Sequence, residues 1–127
     1  STTSDFHHII NPVISGQQII DYQDLVRRIP VADNVLEYAV KLVGSTRVNS
    51  DNVPDITKKY ITWGAGPRAS QYLIIGAKCH AAINGRYSPD IEDVKIVAKP
   101  ILRHRLVKNY KAEAEGFSMD KIIETLL

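Results

Sequence analysis

Arg68 is the residue of this 127-residue chain whose type and position best suit chemistry. It lies in the segment WGAGPRAS, residues 63–70, where Pro67 suits the first position of a helix. Free backbone N–H groups, the positive end of a helix dipole and a guanidinium group together suit a phosphate. From these eight residues alone, however, an ordinary helix start with a solvated arginine is the favoured interpretation, because many helix starts have this composition.

The other candidate groups do not form a self-contained active site. Cys79 and His80 are adjacent on a predicted helix, so their side chains diverge by about 100° and form no nucleophile–base pair. A buried, inert cysteine is the better interpretation. His7 and His8 have no cysteine or acid at metal-ligand spacing, and the chain contains no G-x-x-x-x-G-K-[ST] phosphate loop. We therefore predict no metal site and no complete catalytic site.

Two charged clusters are interpreted as ordinary surface charge. The acids of the first look like the negative start of a helix: Asp90, Glu92 and Asp93. The second carries two fixed charges and one pH-sensitive group: Arg103, His104 and Arg105. A solvated edge with local acid partners explains the second cluster better than a binding patch does. Whether it is helical or extended, and what its residues do, stays open at this stage.

Composition limits the class of protein. Hydrophobic residues make up 44% of the chain and charged residues 24%, which is typical of one globular domain. A net charge of +2 is too small to imply nucleic-acid binding. The single cysteine excludes an internal disulfide and fits a reducing compartment. No apolar run approaches the roughly 20 residues of a membrane span, and no signal-peptide pattern opens the chain, so a cytoplasmic location is expected.

Capping signals and apolar periodicity predict the first three helices. Residues 1–14 are interpreted as a linker or arm from an absent upstream domain, and residues 15–127 as the folded domain. Ser15 begins the first helix at capping-box spacing, and a second starts at Asp33 with its main apolar stripe at residues 36, 39, 40 and 43. The third runs from Pro67 to about residue 84, where Gly85 closes it.

Two more helices follow. Ser88 is the predicted N-cap of the fourth, and a break is predicted at Pro100 because the residue before a proline disfavours helix. Ser118 begins the last helix. The predicted fold is therefore all-α or mainly α: a compact bundle of about five helices with at most a short two-strand element.

Four segments together resemble a known family. They are residues 40–47 (VKLVGSTR), 66–69 (GPRA), 85–94 (GRYSPDIEDV) and 97–106 (VAKPILRHRL). In this order and spacing they resemble the C-terminal lid domain of MoxR-type AAA+ ATPases, which are related to the magnesium-chelatase ATPase subunits. The resemblance extends from about Pro12 to the end of the chain. It departs from the family at Gly66, where a serine often precedes the proline.

The resemblance implies a nucleotide-sensing role. In AAA+ proteins the nucleotide lies between an α/β core and a helical lid, and Arg68 matches the sensor-two arginine that the lid contributes. This likeness implies that Arg68 approaches the β- and γ-phosphates and that Pro67, Arg68 and Ala69 bind nucleotide. ATP and Mg²⁺ would be held by the parent protein, whose core carries the phosphate loop, metal-binding acids and arginine finger.

The resemblance also implies partners. These are the upstream AAA+ core, a ring homo-oligomer, usually a hexamer, and a client protein whose remodelling or activation is chaperone-like. The fragment itself would hydrolyse no ATP. Two other classes remain as alternatives: a free-standing helical adaptor that binds a protein through an apolar groove, and a helical nucleic-acid binder that uses Arg103, Arg105 and Lys108.

Overall fold

The computed structural model describes residues 13–127, which form seven helices and one small sheet. The helices are α1 Gly16–Arg28, α2 Asp33–Gly44, α3 Asp55–Tyr60, α4 Arg68–Ile83, α5 Ile91–Leu102, α6 Tyr110–Ala114 and α7 Met119–Leu126. Strands β1 Ile61–Trp63 and β2 Val107–Lys108 pair antiparallel, with Ile61 opposite Lys108 and Trp63 opposite Val107. The mainly helical prediction with a two-strand element is confirmed. None of these helices is long and apolar enough to cross a membrane.

The core is centred on α4 and α5, against which α2 and α7 pack. Its fully buried large side chains include Val35, Leu73, Val94, Leu102, Ile122 and Ile123. At Gly76 the two central helices approach so closely that an added Cβ would lie 2.8 Å from Ile101 Cδ1. The small residues of α4 therefore allow the close helix packing that their size predicts.

Three of the predicted helix boundaries are confirmed in detail. The Ser15 side chain accepts a hydrogen bond from the Gln18 N–H, and the Gln18 side-chain oxygen accepts one from the Ser15 N–H. Gly85 has a φ of 75°, the left-handed conformation expected after α4. The Ser118 hydroxyl caps α7 by accepting a hydrogen bond from the N–H of Lys121.

Three other predictions are wrong. Ala32 rather than Asp33 is the N-cap of α2, and Asp90 rather than Ser88 is the N-cap of α5. The predicted break at Pro100 does not occur, since α5 continues through it to Leu102. Pro100 lies on the exposed side of the helix while Ala98 and Leu102 are fully buried. Burial of these neighbours therefore outweighs the local preference for a break.

The buried face of α2 also differs from the predicted stripe. Leu36 and Val40 are 41% and 60% exposed, whereas Val35 and Leu42 are buried with Ala39 and Val43. Both stripes fit a period of 3.6 residues, so the sequence left the rotation of the helix undecided. The short helices α3 and α6 were not predicted and raise the count from about five to seven. The predicted linker, residues 1–14, with His7 and His8, falls almost wholly outside the described residues.

Candidate functional site

Arg68 is the first residue of α4, and its side chain is exposed. Within residues 13–127 no hydrogen bond or ion pair engages its guanidinium group. Pro67, also exposed, is the N-cap rather than the first helical residue. Ala69 is 2% exposed and packs in the core behind them. Pro67 and Arg68 are therefore accessible to solvent, whereas Ala69 is buried behind them.

The chain that leads into Arg68 is held by the turn that follows α2. The buried Thr46 hydroxyl accepts a hydrogen bond from the Ala65 N–H at 3.0 Å and donates one to the Val43 carbonyl at 2.6 Å. Arg47 Nε donates to the Ala65 carbonyl at 3.0 Å. Both backbone polar groups of Ala65 are thus satisfied by neighbouring side chains. The sequence marked Thr46 and Arg47 only as part of a family-like segment and showed no role for them.

Glycine is required at position 64 for this contact. A Cβ there would lie 2.3 Å from the Thr46 carbonyl oxygen and 2.8 Å from Arg47 Cα. These are backbone atoms that cannot rotate away, so any larger residue would force the two segments apart. Beside this contact lies a cleft of about 490 Å³, whose lining includes Arg47, Asn49 and the 69% exposed Trp63.

Asp93 forms a buried charge cluster that the sequence analysis missed. Its carboxylate accepts two hydrogen bonds from the Arg86 guanidinium, both 2.5 Å, and one from the Asp90 N–H. His80 Nδ1 lies 2.6 Å from the same carboxylate. The Arg86 hydrogen bonds, with those from Asp90 and His80, hold the pKa of Asp93 well below its usual range, although burial acts in the opposite direction. The cluster joins the end of α4 to the start of α5.

The position of Asp93 in the first turn of α5 explains why its buried ion pair was not predicted. Acids in the first turn of a helix commonly interact with the dipole alone, as Asp90 and Glu92 were also expected to do. The available signal was Arg86, seven residues earlier, together with His80 in the last turn of the preceding helix. A pair of helices joined by a short turn can bring such groups together, but the sequence does not show which face of α5 is buried.

The basic groups after α5 have local partners. Arg103 forms two hydrogen bonds with Asp120, 2.7 and 3.0 Å long, which raise the pKa of Arg103 and lower that of Asp120. Arg105 lies 4.4 Å from the centre of the Tyr72 ring. His104 is exposed in the turn between them. The expectation of a local acid partner is confirmed for Arg103.

Lys108, the third basic group of the nucleic-acid alternative, is also engaged. Its ammonium group bonds the Phe117 carbonyl at 3.1 Å and lies 3.0 Å from a Glu113 oxygen. The three basic side chains that would have to bind nucleic-acid phosphates therefore already contact other groups of the domain.

Two further features bear on chemistry. Cys79 is half-buried rather than buried, in an apolar groove of about 610 Å³ between α1 and α4 whose lining includes Tyr22, Val26 and Ile75. In the part of the chain that the structure describes, no group of three or more His, Cys, Asp or Glu residues is arranged to hold a metal ion. Residues 13–127 therefore offer one arginine without a partner at a helix start and no complete catalytic set.

The chain is similar to several known proteins. The model of the AAA lid domain family matches residues 54–126. Over 118 residues the chain is 33% identical to Chaperone MoxR1 of Mycobacterium tuberculosis, covering 88% of this chain and 31% of that protein. It is 25% identical over 118 residues to YeaC of Bacillus subtilis, covering 93% of this chain and 34% of that protein.

A solved structure supports the same assignment. The crystal structure of a protein assigned as an ATPase from Cytophaga hutchinsonii superimposes with a TM-score of 0.82 at 34% sequence identity. The match covers 91% of this chain and 35% of that one, so this chain spans about a third of the length of its relatives. The chain belongs to the AAA lid domain family, and it is a lid of the MoxR type.

Proposed function

We propose that this domain is the sensor-two lid of an ATP-hydrolysing MoxR-type protein and that Arg68 is its sensor-two arginine. The observation that carries the proposal is the position of Arg68, exposed on the first residue of α4 and without a partner in residues 13–127. An arginine is disfavoured at the positive end of a helix dipole unless an anion lies opposite. Arg103 and Arg105 contact other groups of the domain, whereas Arg68 has no such contact in residues 13–127.

The chemistry of the site fits the terminal phosphates of ATP. A guanidinium group can donate two parallel hydrogen bonds to phosphate oxygens, and phosphoryl transfer is catalysed mainly by positioning and electrostatic stabilisation. In the proposed complex Arg68 faces the β- and γ-phosphates and reports the nucleotide state to the lid. The exposed Pro67 faces the adenine side of the cleft, and Ala69 supports both from the core.

The remaining parts of the active site belong to a partner domain in this proposal. The described residues offer no phosphate loop and no cluster of metal-binding acids, which fits a lid that senses nucleotide held elsewhere. ATP and Mg²⁺ are then bound by an AAA+ core, in a ring oligomer that is expected to be a hexamer. Its activity is chaperone-like remodelling of a client protein in the cytoplasm, in keeping with the chaperone name of the MoxR1 relative.

Substitution of Arg68 in the full-length ATPase tests the proposal. Arg68→Ala should lower kcat by roughly a hundredfold, the typical loss for one electrostatic donor to the transition state, and change KM much less. The melting temperature should hardly change, because the side chain is exposed and without a partner in the described chain. Arg28→Ala is the matched control, since Arg28 is also an exposed helix-terminal arginine, and it should retain near-normal turnover.

Two results would contradict this assignment. Near-normal turnover by Arg68→Ala would remove Arg68 from the catalytic site. A lower melting temperature with a proportional loss of activity would make Arg68 a structural residue.

The two alternative classes receive less support. Nucleic-acid binding is disfavoured because Arg103, Arg105 and Lys108 are engaged within the domain. The adaptor alternative has the apolar groove between α1 and α4 in its favour, but the family membership favours a lid.

A further inference from the structure

We infer that Thr46 and Arg47 are positioning residues that place Arg68 for catalysis by holding both backbone polar groups of Ala65. The inference rests on the proposed function of Arg68 and goes beyond it, because it assigns a catalytic dependence to a turn that does not itself face the phosphates. The turn after α2 then fixes the backbone position of the segment that leads into α4.

The hydrogen bonds converge on one residue. Ala65, which is 1% exposed, donates to the Thr46 hydroxyl and accepts from Arg47 Nε, each at 3.0 Å. Neither bond is part of a helix or sheet ladder. Two adjacent side chains thus fix the position of a backbone residue only three places before Arg68, in a segment with no regular structure of its own.

The segment that contains Gly64 and Ala65 is also tightly packed against the turn after α2. The backbone of Gly64 lies directly against that of Thr46, close enough to exclude a Cβ. The turn is itself held from the other side, where the buried Thr57 hydroxyl donates to the Ser45 carbonyl at 2.6 Å. The entry to α4 is therefore joined to α2 and, through that turn, to α3.

Such rigidity matters most for a residue that has no other support. In the described chain no side-chain partner orients Arg68, so its placement depends on the backbone that carries it. A catalytic group displaced by about 1 Å can cost roughly a hundredfold in rate, while ground-state binding changes less. Loosening Ala65 should therefore lower kcat more than it raises KM.

The test is a set of variants of the full-length ATPase. Thr46→Val keeps the shape of the side chain but removes the hydroxyl, and we expect kcat to fall at least tenfold with KM within about threefold. Thr46→Ser retains the hydroxyl and should restore most of the turnover. Ser118→Ala is the control: it removes a hydroxyl that accepts a hydrogen bond from a backbone N–H, as Thr46 does, but that bond lies at the start of α7 and does not involve Ala65 or the turn after α2.

A double-mutant cycle separates positioning from general destabilisation. If Thr46 acts through Arg68, adding Thr46→Val to Arg68→Ala should cause almost no further loss of kcat. If Thr46 supports the fold in general, the two losses should multiply, and the inference is overturned. Equal loss of kcat in Thr46→Val and Ser118→Ala at equal melting temperatures would overturn it as well.

Arg47→Met gives a second route if Thr46→Val does not fold. Arg47 is half-buried, and within residues 13–127 its side chain makes one hydrogen bond, to the Ala65 carbonyl, which this substitution removes. It should lower kcat with the same lack of additivity towards Arg68→Ala, and independent losses would overturn the inference.

The parallel measurement on Arg68→Ala distinguishes the two possible failures. Normal turnover in that variant overturns the proposed function and, with it, the catalytic role of Thr46 and Arg47. A large loss in Arg68→Ala with normal turnover in both Thr46→Val and Arg47→Met overturns the positioning inference alone. Amide hydrogen exchange of the peptide that contains Ala65 should be faster in both Thr46→Val and Arg47→Met than in the wild type. Unchanged exchange would show that neither hydrogen bond holds this segment.

Discussion

Three arginines of the described chain show how the surroundings of a residue decide its role. Arg86 forms a salt bridge with the buried Asp93, and Arg103 forms one with Asp120 on a different helix. Arg68 has the same chemistry but no partner in residues 13–127. Paired guanidinium groups have their hydrogen bonds satisfied inside the domain, whereas an unpaired one at a helix start can be satisfied by an anion from outside.

The structure predicts that Asp93 is the most important charged residue for stability. Asp93→Asn should lower the free energy of unfolding by about 2 kcal/mol, because it weakens hydrogen bonds to a charged partner at a buried position. Glu92→Gln, at the exposed neighbouring acid, should change it by less than about 0.5 kcal/mol. Urea denaturation of both variants measures the difference. Equal effects would show that Asp93 contributes only as a first-turn acid.

The same carboxylate predicts a pH dependence. Because the pKa of Asp93 is lower in the folded than in the unfolded chain, its stabilisation is complete above about pH 4 and is lost as the pH falls below that value. The free-energy gap between the wild type and Asp93→Asn should therefore narrow between about pH 4 and pH 2. Asp120, whose pKa is also lowered, is present in both proteins and cancels in this comparison. A gap that is constant with pH would contradict this assignment.

At the residue scale the sequence predicts chemistry best where it is local. Arg68 was predicted at a helix start, which is a local feature, and it is the first residue of α4; the prediction of a local acid partner for Arg103 was confirmed. Asp93 was missed because its burial depends on how α5 packs on α4. Thr46 was visible only as part of a motif, since its partner Ala65 lies 19 residues away in sequence.

At the scale of elements, long helices with strong caps were predicted and short or ambiguous elements were not. Ser15 and Ser118 cap their helices as expected. Helices α3 and α6 have six and five residues, too few for an apolar period to appear. A short two-strand element was expected, but it joins three residues to two residues more than 40 positions away, so neither propensity nor turn signals show which residues pair. Burial, which the sequence shows poorly, decided both the face of α2 and the continuation of α5 through Pro100.

Gly64 and Gly76 both lie in close contacts, but Gly64 faces backbone atoms and Gly76 faces side-chain atoms. Gly64→Ala should destabilise the domain by about 3 kcal/mol, because the added Cβ meets the Thr46 backbone at 2.3 Å. Gly76→Ala should cost less than about 1 kcal/mol, since the nearest atom is the flexible end of Ile101 and alanine favours helix by about 1 kcal/mol. Urea denaturation of the two variants tests the contrast. Similar losses would show that α4 and α5 adapt no better than the segment at Gly64.

At the scale of the whole molecule, the domain closes its core without help from a ligand. The fully buried side chains at its centre come from α2, α4, α5 and α7, and all pack on one another: Val35, Leu73, Val94, Leu102, Ile122 and Ile123. The feature proposed to meet nucleotide, Arg68, lies outside this core. Folding and nucleotide sensing should therefore be separable properties.

The final prediction concerns this chain expressed alone. It should fold cooperatively as a helical monomer, and a chelator should not change its melting temperature, because in residues 13–127 the core packs without a metal site. It should not hydrolyse ATP, since one arginine cannot replace the phosphate loop and metal ligands that phosphoryl transfer needs. If ATP binds with a Kd of about 10 mM, then 1 mM ATP stabilises the fold by only about 0.06 kcal/mol. Thermal unfolding with and without ATP measures this shift. A stabilisation of about 1.4 kcal/mol, which corresponds to a Kd near 0.1 mM, would show that the lid holds nucleotide without a core.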